Sequence, residues 1–320
     1  MGWLTPLRGN DTESEGNMET MNKTISVLEP INEAIERAKI ILFRPFNLEK
    51  WMIIGFCAWL ANLVQGSGGG GFNFKDKEDF SKVIDFCKAN MLIVIPIAAA
   101  ATILFICVIL VLLWLGSRGK FMFLDCLAKN KAHIIEPWKA FKKQANGLLG
   151  FRLLLMATAL LWVIALGVLT IWLVSLAKLS NAGIVIIGII ICAMIILFII
   201  VSLFFGFIQV LTFDFVMPIM YLQRTGISAS WAKIGHLLWQ NFWKIVLYLL
   251  FKILIVLCIW AIVVGITFIS CCCLCGIGII LFIPYIGTVI FLPLWSFHRL
   301  YSLCYLRQFG AEYDVFTAAQ

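Results

Sequence analysis

Long stretches without Asp, Glu, Lys or Arg divide this chain into apolar runs separated by polar segments. A helix needs about 20 mainly apolar residues to cross roughly 30 Å of hydrocarbon, so each run is a candidate span. Met91 to Leu115 and Leu153 to Ala177 have the length of slightly tilted spanning helices. No charge occurs from Leu179 to Phe213, which predicts a helix over 184–211 running toward Asp214 and Pro218; the proline can free backbone carbonyls there. Trp51 to Val64 is shorter and is stopped by Gly66, Ser67 and the glycines at 68–71, predicting a first span near 49–66. The run from Ile253 to Phe297 is too long for one helix, and Cys271, Cys272, Cys273, Cys275, Gly276 and Gly278 punctuate its middle. It therefore reads as a hairpin with spans near 245–269 and 277–298, the second kinked by Pro284, Gly287 and Pro293. Lys252 lies close enough to the start of this hairpin to extend its ammonium to the headgroups.

The fold class that follows is an all-α polytopic membrane protein of about six transmembrane helices, spanning 28–310, with spans near 49–66, 91–115, 153–177, 184–211, 245–269 and 277–298. Residues 1–27 are polar and mostly acidic, a composition that reads as a disordered tail, and 311–320 reads as a cytoplasmic tail. The start has no basic segment followed by an apolar run and a small-residue cleavage site, so no cleavable signal is expected.

Composition supports the membrane class. The chain is 62% hydrophobic and 13% charged, with mean hydropathy +1.00, against about a quarter charged residues in soluble proteins. The net charge of +8 does not point to nucleic acid, because the basic residues lie between apolar runs rather than on one basic domain. Six spans put both termini and the loops 117–152 and 223–244 on one side with most of the Lys and Arg. Only Lys75, Lys77, Lys82, Lys88 and Lys178 fall on the other. Enrichment of cytoplasmic loops in basic residues makes the N-terminus and C-terminus cytoplasmic, in a cell inner (plasma) membrane. The expected partners are the bilayer itself and anionic lipid at the cytoplasmic face.

A pattern recurs three times: an amphipathic stretch leads to an Asn, then to apolar and aromatic residues with a basic residue, then to a span. The marking residues are Asn47, Asn146 and Asn241, each a candidate turn from the membrane surface into the bilayer. Thr212-Phe213-Asp214 with Tyr221-Leu222 and Gly226 matches Ser296-Phe297-His298 with Tyr305-Leu306 and Gly310 at constant separation. The corresponding register over Phe121 to Asn130 stays open. A threefold repeat of helical hairpins accounts for the pattern; the competing account is that bilayers make all juxtamembrane helices look alike.

Phe43-Arg44-Pro45-Phe46-Asn47-Leu48-Glu49-Lys50-Trp51, Glu136-Pro137-Trp138 and the run Gln308 to Phe316 resemble an uncharacterised bacterial six-helix membrane family. That family is similar in style to the membrane domain fused to some glycerophosphoryl diester phosphodiesterases. The resemblance covers nearly everything after residue 27 and implies fold and bacterial origin. It brings no activity, because the soluble phosphodiesterase domain is not among these residues.

Candidate chemistry is sparse. HExxH, GxxxxGK[ST], GxSxG and a helix-opening GxGxxG are absent, so neither an enzyme nor a cofactor is expected. The cysteines at 271–275 have no His nearby and no second ligand pair, and read as small packing residues, so no metal is expected. Ionisable residues at membrane depth are the remaining candidates, and Asp214 comes first. Asp125, Arg118, His298 and Arg299 are similarly placed near the inner interface, and Gln209 is a candidate interhelical hydrogen-bond link. Three functions stand open: handling or sensing a lipid or small solute, which requires a cavity; structural, assembly or partner-binding work, which requires a packed bundle; and an enzyme, which requires acids and histidines converging on one pocket.

The loop charge pattern makes one prediction directly. Lys131, Lys139, Lys142 and Lys143 stand beside Trp138 and Phe141, and each basic residue near an anionic surface contributes about 1 kcal/mol. A peptide spanning 130–150 should bind anionic vesicles far better than neutral ones in a sedimentation assay, with the difference shrinking as salt rises. Equal binding to both would remove the electrostatic argument.

Overall fold

The computed structural model describes residues 25–63, 90–180, 183–273 and 283–317. Most of the expected N-terminal tail, the glycine and lysine stretch at 66–88, and residues 274–282, with the end of the cysteine cluster and the start of the last span, lie outside the described residues. Within them the chain is helical, without a strand: α1 (Glu29–Phe43), α2 (Leu48–Asn62), α3 (Met91–Lys129), α4 (Ile135–Ala140), α5 (Lys142–Leu179) and α6 (Ile184–Leu211) come first. A π-helical turn (Thr212–Val216) joins α6 to α7 (Met217–Gln223), followed by α8 (Ile227–Gln240), α9 (Phe242–Cys273), α10 (Pro284–Ile290) and α11 (Leu292–Arg307).

Four segments are long and apolar enough to cross a membrane: Met91–Lys129, Lys142–Leu179, Ile184–Gln223 and Phe242–Ser270. Their apolar stretches turn Ile, Leu, Phe and Trp outward, with Leu92 and Ile184 almost fully exposed. So continuous an apolar surface suits lipid and not water.

The core lies at one end of these helices. The segment from Gly116 to Leu127 in α3 is buried throughout, and it is helix, not the loop expected over 117–152. Its charges Arg118, Lys120 and Asp125 are covered by segments distant in sequence. Close approach of α2 makes this packing feasible, since a Cβ on Gly119 would fall 2.6 Å from Leu60 C and Ala61 N. On its other side α2 meets α10, where a Cβ on Gly55 would fall 2.6 Å from Val289 Cγ2.

The described part of the first expected span is α2, which packs into the core. Over its described length α2 has 15 residues, about 22 Å at 1.5 Å per residue, and its Ile54, Cys57, Ala58 and Leu60 are buried in the core. The last expected span is broken at Phe291, two residues before Pro293, into α10 and α11.

Three surface-to-bundle junctions share one backbone hydrogen bond. The carbonyls of Asn47, Phe141 and Asn241 accept from the N–H groups of Trp51, Ala145 and Ile245 at 2.9, 2.9 and 3.1 Å. Asn47 also caps α2 through its side chain, which accepts from Lys50 N–H. Asn146 does not mark the middle junction: it lies in the second turn of α5, and the break is at Phe141. Nor do residues 311–317 form a free tail. Tyr313, Val315 and Phe316 are buried, Arg37 lies 3.7 Å from the Phe316 ring centroid, and Arg307 pairs with Glu33 at 2.7 Å.

The helix contact at Gly119 is testable against a glycine with free space around it. Gly119→Ala should destabilise the detergent-solubilised protein by about 1–3 kcal/mol through overpacking, read as a lower unfolding temperature. Gly150→Ala, whose Cβ meets nothing within 4 Å, should leave it unchanged or raise it.

Candidate functional site

The site begins with a backbone irregularity. In the π-helical turn Met217 N–H donates to Thr212 O, five residues back. Continuing that pattern, the next donor would come from Pro218, which has none, so the Phe213 carbonyl lacks a helical partner. Arg299 Nη1 on α11 donates to it instead. The same turn directs Asp214 into the bundle, where it is 3% exposed.

Asp214 is held by two other helices, α9 and α11. Lys252 of α9 donates to Oδ2, Tyr248 OH donates to the same oxygen at 3.1 Å, and Ser302 OH of α11 donates to Oδ1 at 3.3 Å. Arg299 Nη1 stands 3.8 Å from Oδ1. Lys252 also reaches Ser302 Oγ at 3.2 Å and is 6% exposed, so its ammonium turns inward to the carboxylate and not outward to the headgroups. A salt-bridge partner within reach outweighs the extension expected from the sequence. Tyr248 is wedged by stacked rings, 5.7 Å from Tyr301 and 4.3 Å from Tyr305, which fixes its hydroxyl.

Two further cations approach the other side of the turn. Lys120 of α3, 7% exposed, has its Nζ 3.1 Å from the Phe213 ring centroid. Arg152 of α5 lies 5.6 Å from the same ring and donates to Ser117 Oγ at 3.4 Å. Among the described residues neither forms an ion pair with an acid.

Lys120, Asp214, Lys252, His298 and Arg299 line one end of a cavity of about 970 Å³. The rest of its wall is mainly apolar, built by Phe198 to Val210 on α6 and Leu249 to Leu257 on α9, with Trp295 from α11, and Asn62 and Ser202 are its polar exceptions. The volume is at the upper end of the range typical of small-molecule pockets.

Of the expected site residues, Asp214, His298 and Arg299 come together. Asp125 is elsewhere, accepting from Tyr221 OH at 2.8 Å and pairing with Lys129 at 3.0 Å, where it ties α3 to α7. Arg118 sits between the rings of Trp114 and Trp138, 4.7 Å from each, and donates to Trp138 O. Gln209 is exposed on α6 and is not part of the cavity wall. The residues not anticipated are Lys120, Arg152, Lys252, Tyr248 and Ser302. The structure shows a common register: Ala58, Arg152 and Lys252 each stand eleven residues after a junction, and Lys120, Asp214 and His298 each stand ten before the residue closing a helix (Asn130, Arg224, Gln308).

The Asp214–Lys252 pair predicts a specific mutational pattern. Asp214→Asn strands a buried ammonium and should cost about 3–5 kcal/mol, seen as loss of the monodisperse peak on size-exclusion chromatography. Adding Lys252→Met should recover much of that loss. A double variant no better than the single would mean that the pairing is not what the carboxylate supplies.

No curated protein and no solved structure matches the chain. A family match does take in Lys120, Asp214 and Lys252 and stops short of His298 and Arg299. Over residues 25–285 the chain matches, and it belongs to, a family of unknown function (DUF7544).

Proposed function

We propose that this protein is a non-enzymatic, multi-pass protein of the cell membrane that holds a lipid, or a small solute of lipid-like character, in the cavity between α6 and α9. The observation carrying the reading is a cavity of about 970 Å³ whose wall passes from apolar to charged along its length. A packed structural bundle would need no such space. An enzyme would need a group free to react, whereas Asp214 is committed to Lys252, Tyr248, Ser302 and Arg299.

The proposed topology has six crossings with both termini cytoplasmic. It is supported by the exposed lysines Lys131, Lys139, Lys142 and Lys143, which lie at the charged end of the bundle, while Lys178 lies at the far end of α5. Trp239, Phe242 and Trp243 are exposed at the same inner end, as residues at headgroup level are. A threefold repeat belongs to this reading, with its junctions at Asn47, Phe141 and Asn241, and so does kinship with the membrane domain fused to some glycerophosphoryl diester phosphodiesterases.

Lipid retention tests the cavity. Protein extracted in mild detergent should carry bound lipid detectable by native mass spectrometry, and Gly206→Trp, which projects an indole into open space on the cavity wall, should lose it while remaining monodisperse. Unchanged retention in that variant would sink the cavity as the lipid site. For the topology, on a background without native cysteines, Lys77→Cys should label from outside the cell and Lys139→Cys only from inside. Labelling of cysteines at the Met1 and Lys77 positions from the same side would remove the first crossing.

A further inference from the structure

We infer that the cavity's charged end recognises a phosphomonoester, carried on an acyl chain that occupies the apolar wall between α6 and α9. The inference rests on the reading of the cavity as a lipid site and names the headgroup that site takes.

Charge balance is the first step. Lys120, Arg152, Lys252 and Arg299 gather around one acid, Asp214. Lys252 and Arg299 share its carboxylate, which leaves Lys120 and Arg152 without an anion among the described residues. Both are more than nine-tenths buried, and Lys120 lines the cavity. Burying a cation without a counter-charge in a low-dielectric bundle is unfavourable, and like charges this close repel. An anion entering the cavity at Lys120 relieves both effects. The His298 ring, which has no hydrogen-bond partner among the described residues, lines the same wall and can add a donor.

The charge deficit selects among anions. A carboxylate or a phosphodiester supplies a single negative charge, whereas a phosphomonoester carries about −1.5 to −2 at neutral pH with three strong acceptor oxygens. It therefore comes closest to neutralising the two unmatched cations while offering an oxygen to Lys120, Arg299 and His298.

Geometry supplies the chain. From Phe198 to Val210 the α6 wall rises about 18 Å at 1.5 Å per residue. One leaflet of hydrocarbon is about 15 Å deep, half the bilayer core. A headgroup at Lys120 thus puts an acyl chain alongside Phe207, Leu203 and Phe198 over one leaflet's depth. A free phosphate ion would meet the same cations and leave the apolar wall uncovered.

The test measures binding to the full-length protein in nanodiscs of neutral lipid. The probes are dioleoyl phosphatidic acid, dioleoyl phosphatidylcholine, oleate, and glycerol 3-phosphate with inorganic phosphate as soluble competitors. Phosphatidic acid should bind about tenfold or more tighter than phosphatidylcholine or oleate, the scale expected for charge-assisted contacts. Lys120→Gln should lower that affinity by a similar factor and leave phosphatidylcholine unchanged, while Lys120→Arg should keep the preference. If Lys120→Gln does not fold, the wild-type preference decides alone. Equal affinity for all three lipids would overturn the phosphomonoester assignment and leave the lipid site standing. Binding of no lipid would end both readings. Full displacement of phosphatidic acid by inorganic phosphate at comparable concentration would overturn the lipid source in favour of a free phosphate ion.

Discussion

Everything at the charged end of this protein depends on giving the Asp214 carboxylate, only 3% exposed, a full set of partners. The π-helical turn is the means. One extra residue in the turn aims the carboxylate inward, and the proline that follows removes the donor the Phe213 carbonyl would otherwise use. Arg299 then serves two ends at once, satisfying that carbonyl and standing 3.8 Å from the carboxylate. α9 and α11 are drawn onto the turn by Lys252, Tyr248 and Ser302, so one acid joins three helical segments.

Such a cluster is not needed for stability as such. A set of well-packed apolar side chains of similar volume would hold these helices equally well or better, since desolvating ions offsets most of what their attraction returns. Polar groups do specify register, because a one-turn slip of α9 along the π-helical turn would separate Lys252 from Asp214 and leave the ammonium buried without its counter-charge. The stack of Tyr248 between Tyr301 and Tyr305 acts in the same sense, fixing the hydroxyl that completes the carboxylate's partners.

What could be read from the sequence follows from which features are local. The helices over 91–115, 153–177 and 184–211 were legible because an uncharged run of that length has few alternatives in water or lipid. The segment 117–129 reads as loop in the sequence because Arg118, Lys120, Asp125 and Lys129 end the uncharged run that marks the span. Their partners are Trp138, Phe213 and Tyr221, which arrive from other helices. Lys252 failed for the same reason: its distance from the helix end suggested the headgroups, and the carboxylate that holds it comes from 38 positions earlier. Asn146 failed differently. Asn is a good turn marker on average, but the turn at Phe141 is made by backbone hydrogen bonds that any residue can supply, so residue type was a poor guide to the register.

Register gives the cluster its meaning. On the proposed threefold arrangement, the inner end of each unit contributes one position eleven residues after its junction and one position ten residues before its helix end. The occupants are Ala58 and Lys120, Arg152 and Asp214, and Lys252 and His298. A symmetric scaffold with identical residues at these places would gather like charges on its axis and repel itself apart. Here the units differ where they meet, with one acid, one imidazole and one methyl among the cations, so the scaffold can repeat while the site does not. The acid neutralises the pair nearest to it and leaves the excess positive charge on the side of Lys120 and Arg152. An anion entering from the α6 and α9 wall therefore meets attraction on one side of the Phe213 ring and a filled ion pair on the other, which orients it without any moving part.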